Sequence, residues 1–241
     1  MKSGSRPAKD QLFDGFAQVA AALASGRRLE IVELLAQAPR SVDEIAGAIE
    51  QSVANTSHHL RRLALDGLVT HRRRGRQVVY QLASDQVYGL WKALQQVAAA
   101  HHHELTTRAE RYLGQRAGLG TLGLDELKER VSRGEDLLLI DVRPVEEYAA
   151  GHIPGAISVP PDQLELLDEL IQNHATAGIV AYCRGPYCVF ADQAIRYLEA
   201  RGRRAWRLHG GVRDWAMNRS NPLPPIIRSG DGETFGHNHG D

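Results

Sequence analysis

The segment Gly114-Gln-Arg-Ala-Gly-Leu-Gly120 constrains the fold most, because the hydrophobic pattern changes across it. Upstream, apolar residues recur at helical spacing and are interrupted by one hairpin signal; downstream, short buried strands alternate with short helices. At 241 residues the chain has room for two ordinary domains. Charge divides at the same place. Residues 1–116 hold 16 Lys+Arg against 11 Asp+Glu, a net +5, and residues 117–241 hold 13 against 18, a net −5. The overall zero is therefore an average over two modules with different partners. With 43% hydrophobic and 24% charged residues, the composition excludes a disordered, collagen-like or coiled-coil chain. No apolar run is long enough for a membrane span and the N-terminus lacks a signal peptide's apolar core, so the chain reads as cytoplasmic, with no membrane partner. Two cysteines, Cys183 and Cys188, cannot form a disulfide framework and point to redox or metal chemistry.

Helices are predicted over 10–24, from Leu29 to before Pro39, from the capping box Ser41-Val-Asp-Glu44, and from Ser52 to Asp66-Gly67, where Leu60, Leu63 and Leu65 are the apolar positions. Leu68–His71 and Gln77–Gln81 then flank Arg72-Arg-Arg-Gly-Arg76, a hairpin with glycine in its tip. A long last helix carries Val87, Leu90, Trp91, Leu94 and Val97 and reaches about Leu113, more than a small domain can cover for itself. The helix opened by Ser52 presents Asn55, Thr56, Ser57, His58, His59, Arg61 and Arg62, short polar groups followed by arginines, as a major-groove reader does. Arg72, Arg73, Arg74 and Arg76 would reach phosphates or the minor groove from the hairpin.

In Arg28-Leu-Glu-Ile-Val-Glu-Leu-Leu35, Ser57-His-His-Leu60, Asp66-Gly-Leu-Val69 and Gly75-Arg-Gln-Val-Val-Tyr80 the chain resembles the ArsR family of winged-helix repressors over about residues 10–113. The resemblance implies a homodimer built on the first and last helices, with Phe16, Val19, Leu23, Leu90, Trp91 and Leu94 as its contacts, bound to a double-stranded palindromic operator. The family's metal sites are not reproduced. Residues 41–47 contain no cysteine, and Asp85-Gln-Val87 has valine where the zinc site has histidine. His101 and Glu104, a helical turn apart, and His237 and His239 in the tail read as solvated groups, so no metal and no cofactor is expected.

Beyond the linker at 114–120, helices are predicted over 124–132, 144–148, 164–170, 189–200 and 212–217, with strands over 136–141, 157–159, 178–182 and 205–208. This alternation gives a largely parallel α/β sheet, and from residue 221 to 241 a flexible tail is expected. Cys183 stands between a buried strand and a helix, where backbone N–H groups favour a thiolate, which makes it the candidate nucleophile with a lowered pKa. With Asp141-Val-Arg-Pro-Val-Glu-Glu-Tyr148, Gly151-His-Ile-Pro-Gly-Ala156 and Gly210-Gly-Val-Arg-Asp-Trp215, the loop Cys183-Arg184-Gly185-Pro186-Tyr187-Cys188-Val189 resembles the rhodanese family over about residues 121–217.

That resemblance implies a rhodanese-like domain over 121–220 in which Cys183 accepts sulfane sulfur from thiosulfate, a persulfide or a polysulfide and holds it against the N–H groups of residues 184–189. Val189 replaces the arginine that grips an oxyanion in phosphatases of this fold. Pro186 and a second cysteine depart from the commoner rhodanese loop, and Cys188 is a candidate resolving thiol. Arg184 either attracts an anionic donor or points to solvent. The sequence thus describes a multidomain chain, a mainly-α winged helix-turn-helix followed by a mostly parallel α/β domain. Its expected function is that of a transcriptional regulator sensing reactive sulfur or redox state; sulfurtransferase turnover is the alternative.

Overall fold

The computed structural model describes residues 4–217, which divide into two compact units with the boundary between Thr106 and Thr107. The tail expected from 221, with His237 and His239, lies outside the described residues.

The first unit begins with α1 (Arg6–Leu23), α2 (Gly26–Gln37), β1 (Arg40–Ser41), α3 (Val42–Ala48) and α4 (Val53–Leu65). Helix α3 starts at the predicted capping box: Ser41 Oγ accepts from the Glu44 N–H at 3.3 Å, while the Ser41 N–H donates to Glu44 Oε2 at 2.6 Å. The short β1 was not foreseen; it pairs with β3 and completes a three-stranded antiparallel sheet ordered β1-β3-β2. Strands β2 (Val69–Arg74) and β3 (Gln77–Leu82) run further than the sequence indicated, so Arg72, Arg73 and Arg74 lie on the strand and only Gly75 and Arg76 form the turn. Gly75 sits at φ 62, a conformation costly for a residue with a Cβ. Helices α5 (Asp85–His101) and α6 (His103–Leu113) replace the single long helix expected here: His102 is extended, at φ −95 and ψ 95. That break removes the helical register which would have put His101 and Glu104 one turn apart.

The core of this unit gathers Ile31, Val32, Leu34 and Leu35 of α2, Ile45 and Ile49, Leu60 and Leu63 of α4, and Tyr80 and Leu82 of the hairpin. Leu65, expected among the apolar core positions of α4, is 77% exposed instead. Thr56, Leu60 and Leu63 are spaced i, i+4, i+7, and that stripe faces inward.

The second unit contains β4 (Gly120–Gly123), α7 (Leu124–Ser132), β5 (Leu137–Asp141), α8 (Val145–Ala150), β6 (Ile157–Ser158), α9 (Leu166–Asn173), β7 (Gly178–Tyr182), α10 (Phe190–Glu199), β8 (Ala205–His209) and α11 (Val212–Met217). Its five strands are all parallel, ordered β4-β8-β7-β5-β6. The alternation of apolar side chains explains how one sheet serves two layers. Leu138 and Ile140 of β5 with Ile179 and Ala181 of β7 enter one core, and Leu137, Leu139, Val180 and Tyr182 enter the other. Strand β4, missed because it is a four-residue stretch bounded by glycines, pairs with β8. The segment 114–120, read from sequence as a linker, lies within this unit.

Candidate functional site

Helix α4 offers its outer face to solvent. Ser52 caps it, its Oγ accepting from the Asn55 N–H at 3.2 Å. Asn55, His58 and Arg61 are exposed, Ser57 is half-buried, and Asn55 Nδ2 donates to Gln51 Oε1 at 2.7 Å. Arg62 pairs with Asp66 at 3.0 Å on the same helix. Thr56, expected on the reading face, is fully buried, because its spacing to Leu60 and Leu63 places it on the core stripe. His59 is half-buried; burial, and then the charge of Arg28, hold its pKa below the usual imidazole value. Arg72, Arg73, Arg74 and Arg76 are all exposed on the hairpin.

On α1 and α5 the expected contact residues separate. Phe16 is 61%, Leu90 43% and Leu94 38% exposed, whereas Leu23 is buried in the unit's own core and Val19 and Trp91 pack against it. Leu12, Phe13 and Val97, absent from that expected set, are exposed beside them.

The two cysteines lie at the carboxyl end of the central strand β7, where open parallel sheets place their sites. Gly211 packs under the loop so tightly that a Cβ there would stand 2.8 Å from the carbonyl oxygens of Cys183 and Arg184. The neighbouring end of β5 is locked by ions. Arg143 and Asp141 are both fully buried, and the guanidinium grips the carboxylate through Nε at 2.9 Å and Nη2 at 2.6 Å while Nη2 also donates to the Gly151 carbonyl. Burial pulls the Arg143 pKa down, and the hydrogen bonds and charge of Asp141 outweigh it. Arg184 is one-fifth exposed but engaged: Nη2 donates to the buried Glu147 at 2.7 Å, and its guanidinium lies over the Phe190 ring.

Cys183 is 2% exposed and Cys188 is half-buried. The Cys183 thiol donates toward the carbonyl oxygens of Gly185 and Cys188, at 3.9 and 3.8 Å. Burial, reinforced by Cys188, pushes the Cys183 thiol well up, against the N–H groups of Ala191 and Gly185. The bond from Cys183 outweighs burial at Cys188 and, with the N–H groups of Arg184 and Phe190 and the Arg184 charge, brings its pKa down to about 7. The structure thus reverses the sequence expectation. Of the pair, Cys188 is the thiol held down, first by Cys183 and then by the N–H groups of the turn, while Cys183, sealed from water, is the one pushed up.

Three residues at this site were not singled out from sequence. Arg116 donates through Nη1 to the Pro186 carbonyl at 2.5 Å, through Nη2 to the Cys188 carbonyl at 2.8 Å, and through Nε to Asp192 Oδ2 at 2.6 Å. Asp192 is fully buried on α10 and also faces Arg207 of β8, at 3.5 Å. Arg207 is 7% exposed and its Nη1 has no hydrogen-bond partner; burial, then Arg116, lower its pKa. An arginine inside a strand of buried alternation is a sequence signal for Arg207. Arg116 gave none.

Among the described residues no three of His, Cys, Asp and Glu come together as a metal site, and no helix is long and apolar enough to cross a membrane.

Comparison with known proteins adds the following. Residues 123–218 match the family model described as Rhodanese-like domain, and residues 25–71 match that of Bacterial regulatory protein, arsR family. The HTH-type transcriptional regulator Rv0324 of Mycobacterium tuberculosis is 41% identical over 215 residues, 89% of this chain and 93% of that protein. A tRNA uridine(34) hydroxylase of Escherichia coli O1:K1 is 34% identical over 95 residues, 37% of this chain and 27% of that enzyme. Among solved structures, the homodimeric winged helix-turn-helix DNA-binding domain of Mb0332 from Mycobacterium bovis is 40% identical over 42% of this chain and 93% of that one, with a TM-score of 0.39. With both family models matched and a regulator alike along nearly its whole length, the chain belongs to the ArsR-family winged helix-turn-helix transcriptional regulators that carry a C-terminal rhodanese domain.

Proposed function

We propose that this protein is an operator-binding homodimer whose affinity for DNA is set by reactive sulfur or oxidant at Cys183 and Cys188, with residues 1–113 as output and 121–220 as receiver. The observation that carries the proposal is the cysteine pair itself, two free thiols on one loop, the Cys183 sulfur 3.8 Å from the Cys188 carbonyl, at the strand end of a rhodanese-like domain in a DNA-binding regulator. For DNA, Asn55, His58 and Arg61 on α4 read the major groove and the exposed wing arginines contact phosphates. For the dimer, Phe16, Leu90 and Leu94, with Leu12, Phe13 and Val97, supply the apolar area, a patch that a monomer in water would leave uncovered. Such a dimer spans half-sites ~34 Å apart.

The chemistry uses the two sulfurs in turn. A donor such as thiosulfate is attacked at its sulfane sulfur; its S–S bond breaks, the bonding pair leaves with sulfite, and the thiol proton goes with it. Cys188, five positions on in the same loop and with its pKa brought down to about 7, is the base that takes that proton first. A persulfide on Cys183 then either stays, or is attacked at its inner sulfur by Cys188, which forms the Cys183–Cys188 disulfide and releases the outer sulfur as hydrosulfide with the bonding pair. An oxidant such as peroxide closes the same disulfide, taking two electrons from the pair.

Intact mass and operator affinity measured on the same sample test this. Polysulfide is expected to add one sulfur atom, or to remove two hydrogens, and to change affinity in wild type and not in Cys183→Ser. Repeated thiosulfate turnover with a thiol acceptor and no change in affinity would instead make the protein a DNA-tethered sulfurtransferase.

A further inference from the structure

The carbonyl of Cys188 receives two donors of different kinds, the Cys183 thiol at 3.8 Å and Nη2 of Arg116 at 2.8 Å. Arg116 stands in the segment that joins α6 to β4, 70 residues before the nearer carbonyl that it grips. Its side chain is one-fifth exposed, and its three hydrogen-bond partners, Pro186, Cys188 and Asp192, belong to the cysteine loop or to the helix that follows it. We propose that Arg116 is the residue through which the sulfur state of the loop is passed to the chain segment leading back toward the DNA-binding unit. The inference rests on the sulfur-sensing reading above and assigns its route.

The physical reason lies in the proton on Cys183. As a thiol, that sulfur is a donor to the carbonyls of Gly185 and Cys188. As the inner sulfur of a persulfide, or as half of a disulfide, it has no proton, and both carbonyls lose that donor. In turning toward another donor the Cys188 carbonyl carries an Arg116 bond with it. The charges act in the same direction. Two arginines, Arg116 and Arg207, flank the single buried carboxylate of Asp192, which leaves one positive charge to be matched by an anion on the cysteine pair. A disulfide carries no charge, so forming it removes that counter-ion and sets the two guanidinium groups against one another across Asp192. Arg116, the more exposed of the two and the one on an irregular segment, is the one free to leave.

The test uses the full chain with Arg116→Ala and Arg116→Lys, treated with polysulfide and matched for modified fraction by intact mass. In wild type, amide hydrogen exchange at 114–120 should rise on modification and operator affinity should change. In both variants exchange at 114–120 should already be high, untreated affinity should match that of the treated wild type, and the ratio of treated to untreated affinity should fall to one. Lysine is not expected to rescue, since one ammonium cannot reproduce three bonds from a planar fork. Variants that keep the wild-type ratio would overturn the role of Arg116 and leave the sensor intact. Variants in which neither cysteine can be modified would also overturn it, by making Arg116 a builder of the loop. A wild type whose affinity ignores modification would sink the sensing reading and this route together, a failure visible before any variant is made.

Discussion

The two functional surfaces of this chain handle charge in opposite ways. On α4 and the wing, arginines stand in solvent, where each is screened and contributes a small, additive share to a polyanion's binding. Around the cysteine loop Asp141, Arg143, Glu147 and Asp192 are fully buried and Arg207 nearly so, so that every charge depends on one or two named partners. On the proposed reading the first surface tolerates the loss of any one residue, while the second turns a change at a single sulfur atom into a rearrangement.

The sharpest way to break the comparison is at β5. Asp141→Ala leaves the guanidinium of Arg143 buried without its carboxylate, and the second unit should lose about 3–5 kcal/mol of stability, read by denaturant unfolding. A loss no larger than that of an exposed pair, under ~1 kcal/mol, would contradict the burial argument.

Next in size is the cysteine pair. The pKa of Cys188 is held down to about 7 first of all by the Cys183 thiol. Its alkylation rate should therefore rise with pH through about 7, and Cys183→Ala should move that midpoint up toward the ~8.5 of a free thiol. Cys183, pushed up by burial, should alkylate more slowly than Cys188 over the same range. Equal midpoints for the two thiols would refute the asymmetry. Added salt should leave the Cys188 midpoint in place while it weakens operator binding, because the loop is shielded from counterions and the wing is not.

Smaller effects belong to the exposed surface. Arg73→Ala and Arg74→Ala should each lower affinity on specific and non-specific DNA alike and flatten the salt dependence by about one unit per lost phosphate contact. An unchanged slope would take the wing out of the interface.

The smallest concerns Thr56, whose hydroxyl is buried without a hydrogen-bond partner. Thr56→Val should leave operator affinity as it is and stability within ~1 kcal/mol, or slightly raised. A loss of affinity would return Thr56 to the reading face.

What sequence could reveal followed from how local each signal was. Strand β7 and helix α11 were legible residue for residue, because a short apolar run between turn residues and a Val-to-Met stretch after two glycines are local patterns. The capping box at Ser41 was legible for the same reason. Polar residues on α4 were grouped by type rather than by angle, so Thr56 was placed outside and Leu65 inside; a strict count of i, i+4, i+7 from Thr56 would have reversed both. The break at His102 left no glycine or proline to announce it. Arg116 was invisible because its partners are 70 to 76 residues away, and nothing short of the folded sheet brings them together. The turn after β7 pointed to Cys183 as the lowered thiol, whereas burial pushes that thiol up and the neighbouring Cys183 side chain brings Cys188 down.

The central claim is that the state of one loop sets the affinity of the other surface. The most direct measurement is operator affinity by fluorescence anisotropy on one preparation, first reduced, then treated with polysulfide, then reduced again, with Cys183→Ser carried through the same cycle. Wild type should change affinity on treatment and recover on reduction, and Cys183→Ser should hold one value throughout. A Cys183→Ser protein that follows the wild-type cycle, or a wild type that holds one value while its mass shows the added sulfur or the disulfide, would contradict the account.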